Sequence, residues 1–244
     1  LESLLSLSNS SEYTVLKTNR FERKFVIPNW GSKLVEHHIK ALRFGFRSIF
    51  KPRTVNNIYF DTPNFNNYYD NHFGRSKRRK MRIRWYGDTF VKVESPILEV
   101  KIKSGAVGSK LSFPINSFDM SGKSISKSTL QEVFENSNLP ESILLEIKGQ
   151  VPTLINSYNR RYLANMDKKF RFTIDTDLKY YRTDRFNTSN LVSKLNKELV
   201  IVELKYDEEN DSKGKEIGTK LPFRLDKFSK YVNGIDALND YLTV

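Results

Sequence analysis

The 244 residues suffice for one large domain or two small ones, and a hydrophobic share of 38%, with 13% aromatic, excludes disorder for most of the chain. The balance of 41 Lys+Arg against 28 Asp+Glu gives a formal charge of +13, which points to a polyanionic partner: nucleic acid, an anionic membrane or a phosphorylated substrate. The absence of cysteine excludes disulfides and thiolate metal sites and suits a reducing compartment, and no apolar run approaches the length of a membrane span.

Residues 1–19 hold Leu4, Leu5 and Leu7, then turn Ser/Asn-rich with no basic n-region, so they read as an N-terminal tail and not as a signal peptide. Because the first residue is Leu1 and not Met, processing or trimming is expected to have removed something. From residue 20 to 244 no Pro/Gly/Ser linker is long enough to divide the chain, which predicts a single domain. Period-two alternation predicts a strand at 22–27, followed by a helix at 31–43 and a strand at 55–61, with Asp61 before Thr62-Pro63 as a turn residue. Arg75 to Lys80 reads as a basic loop. Strands follow at 80–86, 90–94, 98–103 and 109–115, then a Ser-rich loop at 116–128. Helices are predicted at 126–136 and 141–149, strands at 157–163, 171–177 and 201–205, and a loop at 206–220, where charges mix with Gly214 and Gly218. A last helix is predicted at 226–242, with Phe228, Tyr231, Ile235 and Leu238 near helical spacing and Asp226 as its N-cap candidate. Many strands joined by short turns predict an α+β fold built on an antiparallel sheet or barrel, with helices packed outside.

Five of these strands share one pattern. Glu22 and Lys24 alternate with Phe25 and Ile27, and Lys80, Arg82 and Arg84 with Met81, Ile83 and Trp85. Glu99, Lys101 and Lys103 alternate with Leu98, Val100 and Ile102, Arg171 and Asp175 with Phe172 and Ile174, and Glu203 and Lys205 with Val202 and Leu204. On a single strand, a charged alternate face is ordinarily the wet side of a sheet. Repeated on five strands, it predicts a closed antiparallel β-barrel, a tunnel with the charged faces inward. Inward cations are costly unless an anion or water fills the space, and a linear polyphosphate is a fitting anion. Nearby glutamates then suit Mg²⁺ or Mn²⁺ through oxygen ligands.

The ordered segments FERKFVIP (21–28), NNIYFDTPNFNNYYD (56–70), KMRIRWYG (80–87), LEVKIKSG (98–105), SYNRRYL (157–163), FRFTIDTDLKY (170–180), VIVELKY (200–206) and KFSKYVNG (227–234) cover nearly the whole chain. Together they resemble the triphosphate tunnel metalloenzyme superfamily, and within it the catalytic (VTC) domain of the vacuolar transporter chaperone polyphosphate polymerase. The resemblance implies that Lys24, Arg82, Arg84, Lys101, Arg160 and Arg171 hold phosphates. It further implies that Lys110, more loosely aligned, and Tyr158, Lys227, Ser229 and Lys230 bind substrate, the last three at the start of a C-terminal helix at the tunnel, and that Glu203 binds the metal. It implies Mn²⁺ or Mg²⁺ as cofactor, and ATP and polyphosphate or triphosphate as partners. The activity implied is transfer of the γ-phosphoryl group of ATP to a growing polyphosphate chain. Hydrolysis of tripolyphosphate or a nucleoside triphosphate, and a non-catalytic polyphosphate- or inositol-phosphate-binding module, are the alternatives. No specific nucleic acid is expected, since the cations sit among apolar neighbours and not beside exposed aromatics. Location is expected to be cytoplasmic, with membrane association only through unseen segments or partner proteins.

The residues carry rival readings. Arg20-x-Glu22-x-Lys24 departs from the superfamily's frequent Glu-x-Glu-x-Lys, which weakens metal binding from that strand. Lys24 can pair with Glu22, Tyr158 can be core, and Lys227 and Lys230 suit any exposed helix face. Arg160 and Arg161 are adjacent, so Arg161 is expected to face outward. Asp175 and Asp177 suit a metal, a cap or an arginine partner. Glu146-Ile147-Lys148 is a decoy Glu-x-Lys triplet in a helix, and His37, His38 and His72 read as neutral surface positions.

Overall fold

The computed structural model describes residues 14–16, 20–104, 107–122, 125–183 and 193–238, so most of the expected tail and the end of the last predicted helix lie outside the described residues. In chain order the strands are β1 (Thr14–Leu16), β2 (Arg20–Pro28), β3 (Arg47–Ser48), β4 (Arg53–Asp61), β5 (Lys77–Tyr86), β6 (Lys92–Val93), β7 (Ile97–Ser104), β8 (Val107–Pro114), β9 (Phe118–Asp119), β10 (Val151–Ala164), β11 (Arg171–Arg182), β12 (Ser193–Asn196) and β13 (Leu199–Asp207). The helices are α1 (Ser32–Ala41), α2 (Asn66–His72), α3 (Lys127–Glu135), α4 (Glu141–Lys148), α5 (Asp211–Thr219) and α6 (Lys230–Leu238). The predicted α+β class with an antiparallel sheet is what forms.

The described residues form two compact units, one drawn from 1–18, 57–85 and 89–153, the other from 19–56, 86–88 and 154–244. In the first unit the strands run in the order β1-β8-β7-β5-β4, and in the second β4-β10-β11-β13-β2, with β12 on β11 and β3 on β10. β4 contributes its last residues to the first unit and its first residues to the second. The first run ends at β1 and the second at β2, so among the described residues the sheet is open, not the closed barrel expected. Closure needs every strand paired on both sides, and alternation along single strands reports which face is polar, not which edges pair.

In the second unit the apolar alternates make the core. Phe25, Ile27, Phe172, Ile174, Val200, Val202 and Leu204 pack under Val35 and Ile39 of α1 and Ile217 of α5. In the first unit Met81, Ile83, Leu98 and Val100 are buried, as are Leu130 and Phe134 of α3 and Ile143 and Ile147 of α4. Arg79, on the same face of β5 as Met81, reaches Glu146 of α4 at 2.7 Å. The decoy glutamate is thus a structural partner, and Lys77 to Lys80 form strand where a basic loop was expected.

The predicted loop at 206–220 is instead largely α5, after a short 3-10 turn at Glu208–Asn210. Two glycines lower helix propensity by about 1 kcal/mol each relative to alanine, which is why the sequence reads as loop. Packing reverses that preference: a Cβ on Gly214 would lie 2.3 Å from the Tyr206 ring. The strand expected at 90–94 shrinks to β6, which among the described residues pairs with β9 alone. α2 was not anticipated. Its first turn is held by Asp61, fully buried, which accepts the backbone N–H groups of Asn67 at 2.8 Å and Tyr68 at 2.9 Å.

α6 starts later than predicted. Ser229, not Asp226, caps it, its Oγ accepting the Val232 N–H at 3.3 Å, while Asp226 accepts the N–H of Lys227. α6 lies on the polar face of the second unit's sheet, and a bulge explains how it fits there. Register shifts between Ser157 and Asn159 of β10, and Asp177 opposite adopts φ 53°. The extra residue swings Tyr180 onto the face that Leu154 shares with Arg160. Gly234 of α6 seats on both side chains, where a Cβ would lie 2.5 Å from Leu154 Cδ2 and 2.7 Å from Tyr180 Cδ1.

Gly234→Ala is therefore expected to destabilise the protein by about 1–3 kcal/mol through overpacking, outweighing a helix-propensity gain of about 1 kcal/mol. A urea unfolding midpoint at or above that of the parent would show that α6 is not seated there.

Candidate functional site

On the polar face of the second unit, cross-strand register sets residues in rows. One row runs Tyr162, Thr173, Glu203, Lys24; the next runs Arg160, Asp175, Ile201, Val26; a third holds Arg171, Lys205 and Glu22. Asp175 has no solvent exposure. Its carboxylate is gripped by both prongs of Arg160, Nε to Oδ1 at 2.6 Å and Nη2 to Oδ2 at 2.7 Å, and Lys230 of α6 adds a contact to Oδ2 at 2.6 Å. Glu203, also buried, meets Lys205 at 2.8 Å and Lys24 at 3.5 Å. Lys24 further donates to the carbonyl of Phe228 at 2.9 Å, which ties β2 to the approach of α6. Tyr158 is buried, as its rival reading held. Its ring lies beneath Arg160 at 5.1 Å and Lys230 at 4.7 Å, so it is also a cation–π floor.

Burial alone would raise the pKa of Glu203, but Lys205, Lys24, Lys230 and Arg160 hold it well below the usual carboxylate range. Burial likewise opposes ionisation of Asp175, and Arg160 and Lys230 overcome it. Burial would lower Lys230, yet Asp175 and Glu203 raise it, so the amine stays charged. The cluster is a set of ions at neutral pH, with four cations, Lys24, Arg160, Lys205 and Lys230, around two carboxylates.

The first unit repeats the motif. Arg82 meets Glu99 at 2.6 Å, Lys110 meets it at 2.6 Å, and Arg84 at 3.6 Å. Arg82 also donates to the Tyr59 hydroxyl at 3.1 Å and Arg84 to Asn57 at 3.0 Å. Burial works against ionisation of Glu99, and Arg82, Arg84 and Lys110 keep it far below its ordinary value. The adjoining row sets three lysines side by side, Lys80, Lys101 and Lys110.

Register thus joins Lys24, Tyr158, Arg160, Glu203 and Lys230 in one cluster and Arg82, Arg84 and Lys110 in another, with Lys101 exposed beside the latter. Arg171 is exposed one row from Glu203, Lys227 is exposed, and Ser229 caps α6. Arg161 pairs with Glu36 of α1 at 2.6 Å, away from Arg160. Residues to which the sequence assigned no site role are Glu99, Lys205, Asn57, Tyr59 and Thr173. A signal for the first two was present in the triplets Glu99-Val100-Lys101 and Glu203-Leu204-Lys205, which match Glu22-Arg23-Lys24. Thr173 carried no signal. It is buried beside Glu203, and its hydroxyl has no hydrogen-bond partner.

Among the described residues, no three His, Asp or Glu side chains gather as a metal cage. A hard divalent cation that keeps waters and phosphate oxygens needs only one or two carboxylates, and Glu203 fits that lesser demand. Among the described residues, no helix is long and apolar enough to cross a membrane.

Compared with protein families, the chain matches the VTC domain over residues 19–239. A comparison with curated proteins gave no match. Similar solved structures include a candidate adenylate cyclase from Vibrio parahaemolyticus (11% identity, TM-score 0.47, covering 87% of this chain and 97% of that one). A second candidate adenylate cyclase, from Bacillus halodurans, has 15% identity and a TM-score of 0.48 over 90% of this chain and 96% of its own. A Pyrococcus horikoshii protein has 10% identity and a TM-score of 0.48 over 89% and 99%. Likeness at that level carries nothing about chemistry.

Glu203, Asp175 and Glu99 have folded pKa values below their ordinary 4.5, 3.8 and 4.5. The stability they contribute is therefore complete above those values and is lost as pH falls beneath them. Urea midpoints are expected to hold steady from pH 7 to about 5 and to drop steeply below about 4. Asp175→Asn, which leaves Arg160 and Lys230 uncompensated, is expected to cost about 3–5 kcal/mol at pH 7 and to flatten that acid limb. An unchanged limb would mean other groups set it.

Proposed function

The chain belongs to the VTC domain family, and from that membership we propose that it is a metal-dependent phosphotransferase that moves the γ-phosphoryl group of ATP onto a growing polyphosphate chain. The observation that carries the reading is the cluster at Asp175 and Glu203, in which four cations, two buried and two half-buried, surround two buried carboxylates and a buried hydroxyl has no partner. Phosphoryl transfer asks the protein mainly to position phosphates and neutralise their charge. Arg160 is fixed by a two-pronged bond and Lys230 by the helix that carries it, so neither has to be ordered when ligand arrives. Lys24 and Lys205 sit on opposite flanks of Glu203 and offer donors to phosphate oxygens on both. Thr173 adds a neutral donor within the Glu203 row. Arg171, one row on, extends the cationic face toward solvent. Lys227 and Ser229 stand at the start of α6, where the helix N-terminus favours anions.

In the first unit, taken by itself, Arg82, Arg84, Lys101 and Lys110 offer the same chemistry to phosphate oxygens. The bond between the γ-phosphorus and the β–γ bridging oxygen breaks, a terminal oxygen of the acceptor chain bonds to that phosphorus, and ADP leaves with the electron pair. Glu203 would hold Mn²⁺ or Mg²⁺, which when bound neutralises charge on the transferring group.

Incubation with ATP and Mn²⁺, followed by separation of polyphosphate, ADP and free phosphate, tests the reading. Polyphosphate with matching ADP is expected. Free phosphate in its place would make the protein a hydrolase, and no turnover would leave a binding module. Glu203→Gln is expected to abolish metal-dependent turnover while retaining triphosphate binding; full turnover at saturating Mn²⁺ would remove Glu203 from the metal site.

Thr173→Val gives a separate signature. Without ligand it should unfold at the same or a higher temperature, because an unpartnered buried hydroxyl costs about 1–3 kcal/mol. Its tripolyphosphate-induced rise in melting temperature should shrink, and Thr173→Ser should restore it. A ligand-free loss of stability would make the hydroxyl structural.

A further inference from the structure

At the end of β10, beside the Glu203 row, an arginine stands among three rings. The Arg53 guanidinium carbon is 4.7 Å from the centroid of Tyr86, 4.9 Å from Tyr162 and 5.2 Å from Phe50. Phe50 and Tyr162 meet edge to face at 5.6 Å. The four residues come from three separate stretches of chain: Phe50 just before β4 and Arg53 at its start, Tyr86 at the end of β5, and Tyr162 on β10. An aromatic staple across strand ends would account for the contacts. It does not account for the exposure, since Phe50 is 56% and Tyr86 45% accessible. A staple gains by burying its rings, and these two leave ring surface facing water.

Placement supplies the second observation. Tyr162 points to the same face of β10 as Arg160, two residues earlier, and lies opposite Thr173 in register. Its ring is 5.9 Å from the Arg160 guanidinium and 4.9 Å from that of Arg53, so one ring borders both the buried phosphate-binding cluster and the exposed aromatic one. Exposed rings and a guanidinium plane, adjoining a basic site, are the groups on which nucleobases stack. The expectation that no exposed aromatic accompanies the cations therefore fails at this corner.

We infer that Phe50, Arg53 and Tyr86 form a stacking platform for the base of a nucleoside triphosphate whose phosphates occupy the Arg160–Lys230 cluster. The inference rests on the phosphate-binding reading of that cluster and adds a subsite to it. Stacking tolerates any base, because every base has a π-face. The platform thus separates nucleotides from inorganic polyphosphate and discriminates little among the nucleotides.

Calorimetric titration of the full chain with ATP and with inorganic tripolyphosphate tests it. Tyr86→Ala and Phe50→Ala are each expected to weaken ATP binding by roughly tenfold while changing tripolyphosphate affinity by less than about twofold. Tyr86→Phe keeps the ring and should keep ATP affinity. Both alanine sites are half exposed, so the fold is not at stake, and a thermal melt of each variant checks this. Undiminished ATP affinity in the alanine variants, or an equal loss for both ligands, would overturn the platform. A parent chain that binds neither ligand would instead overturn the phosphate site on which the platform depends.

Discussion

Asp175 sits where three elements meet. It has no exposure of its own, its β10 neighbour Arg160 closes on it from one side, and Lys230 reaches it from the first turn of α6. A carboxylate taken out of water costs several kcal/mol unless it is fully paired, so β10, β11 and α6 must be brought into register together or not at all. The same bonds hold Arg160 and Lys230 rigid over the Tyr158 ring. Stability and site geometry here share one set of contacts.

That arrangement explains the charge imbalance. Around Glu203 and around Glu99, cations outnumber the carboxylate they surround. Each glutamate lets like charges sit closer than they otherwise could, without cancelling them. The apolar alternates of the same strands pack beneath α1 and α5 in one unit and are buried in the other, so the five alternating strands are each held from one face and charged on the other. A sheet built this way bears the repulsion of its polar face because its opposite face is a core. The residual positive potential is then available to an anion.

A proposed role for Phe50, Arg53 and Tyr86 fits this economy of position. They lie where the polar face runs out into solvent, next to Tyr162, the last ring before the buried cluster. Cations grip phosphates and rings stack bases, and the two chemistries adjoin at one residue.

Much was determined by the sequence alone. Alternation in 22–27, 80–86, 98–103, 171–177 and 201–205 located five strands and told which side of each was charged, because a strand's period is two whatever surrounds it. Lys24, Arg82, Arg84, Arg160, Glu203 and Lys230 were legible from ordered motifs. Other features needed the folded chain. Pairing partners were invisible, so Glu99, legible only as part of a charged face, and Thr173 had no place in a cluster until register set them among the cations. Helix α5 was hidden by Gly214 and Gly218, whose poor propensity is overridden by close approach to Tyr206. The bulge at Asp177 moved Tyr180 to the other face and made room for α6. Even the edges at β1 and β2, open among the described residues, lie beyond any single strand. Faces are local, set by φ and ψ along a few residues, whereas edges, register and the company a buried charge keeps are decided between segments far apart in sequence.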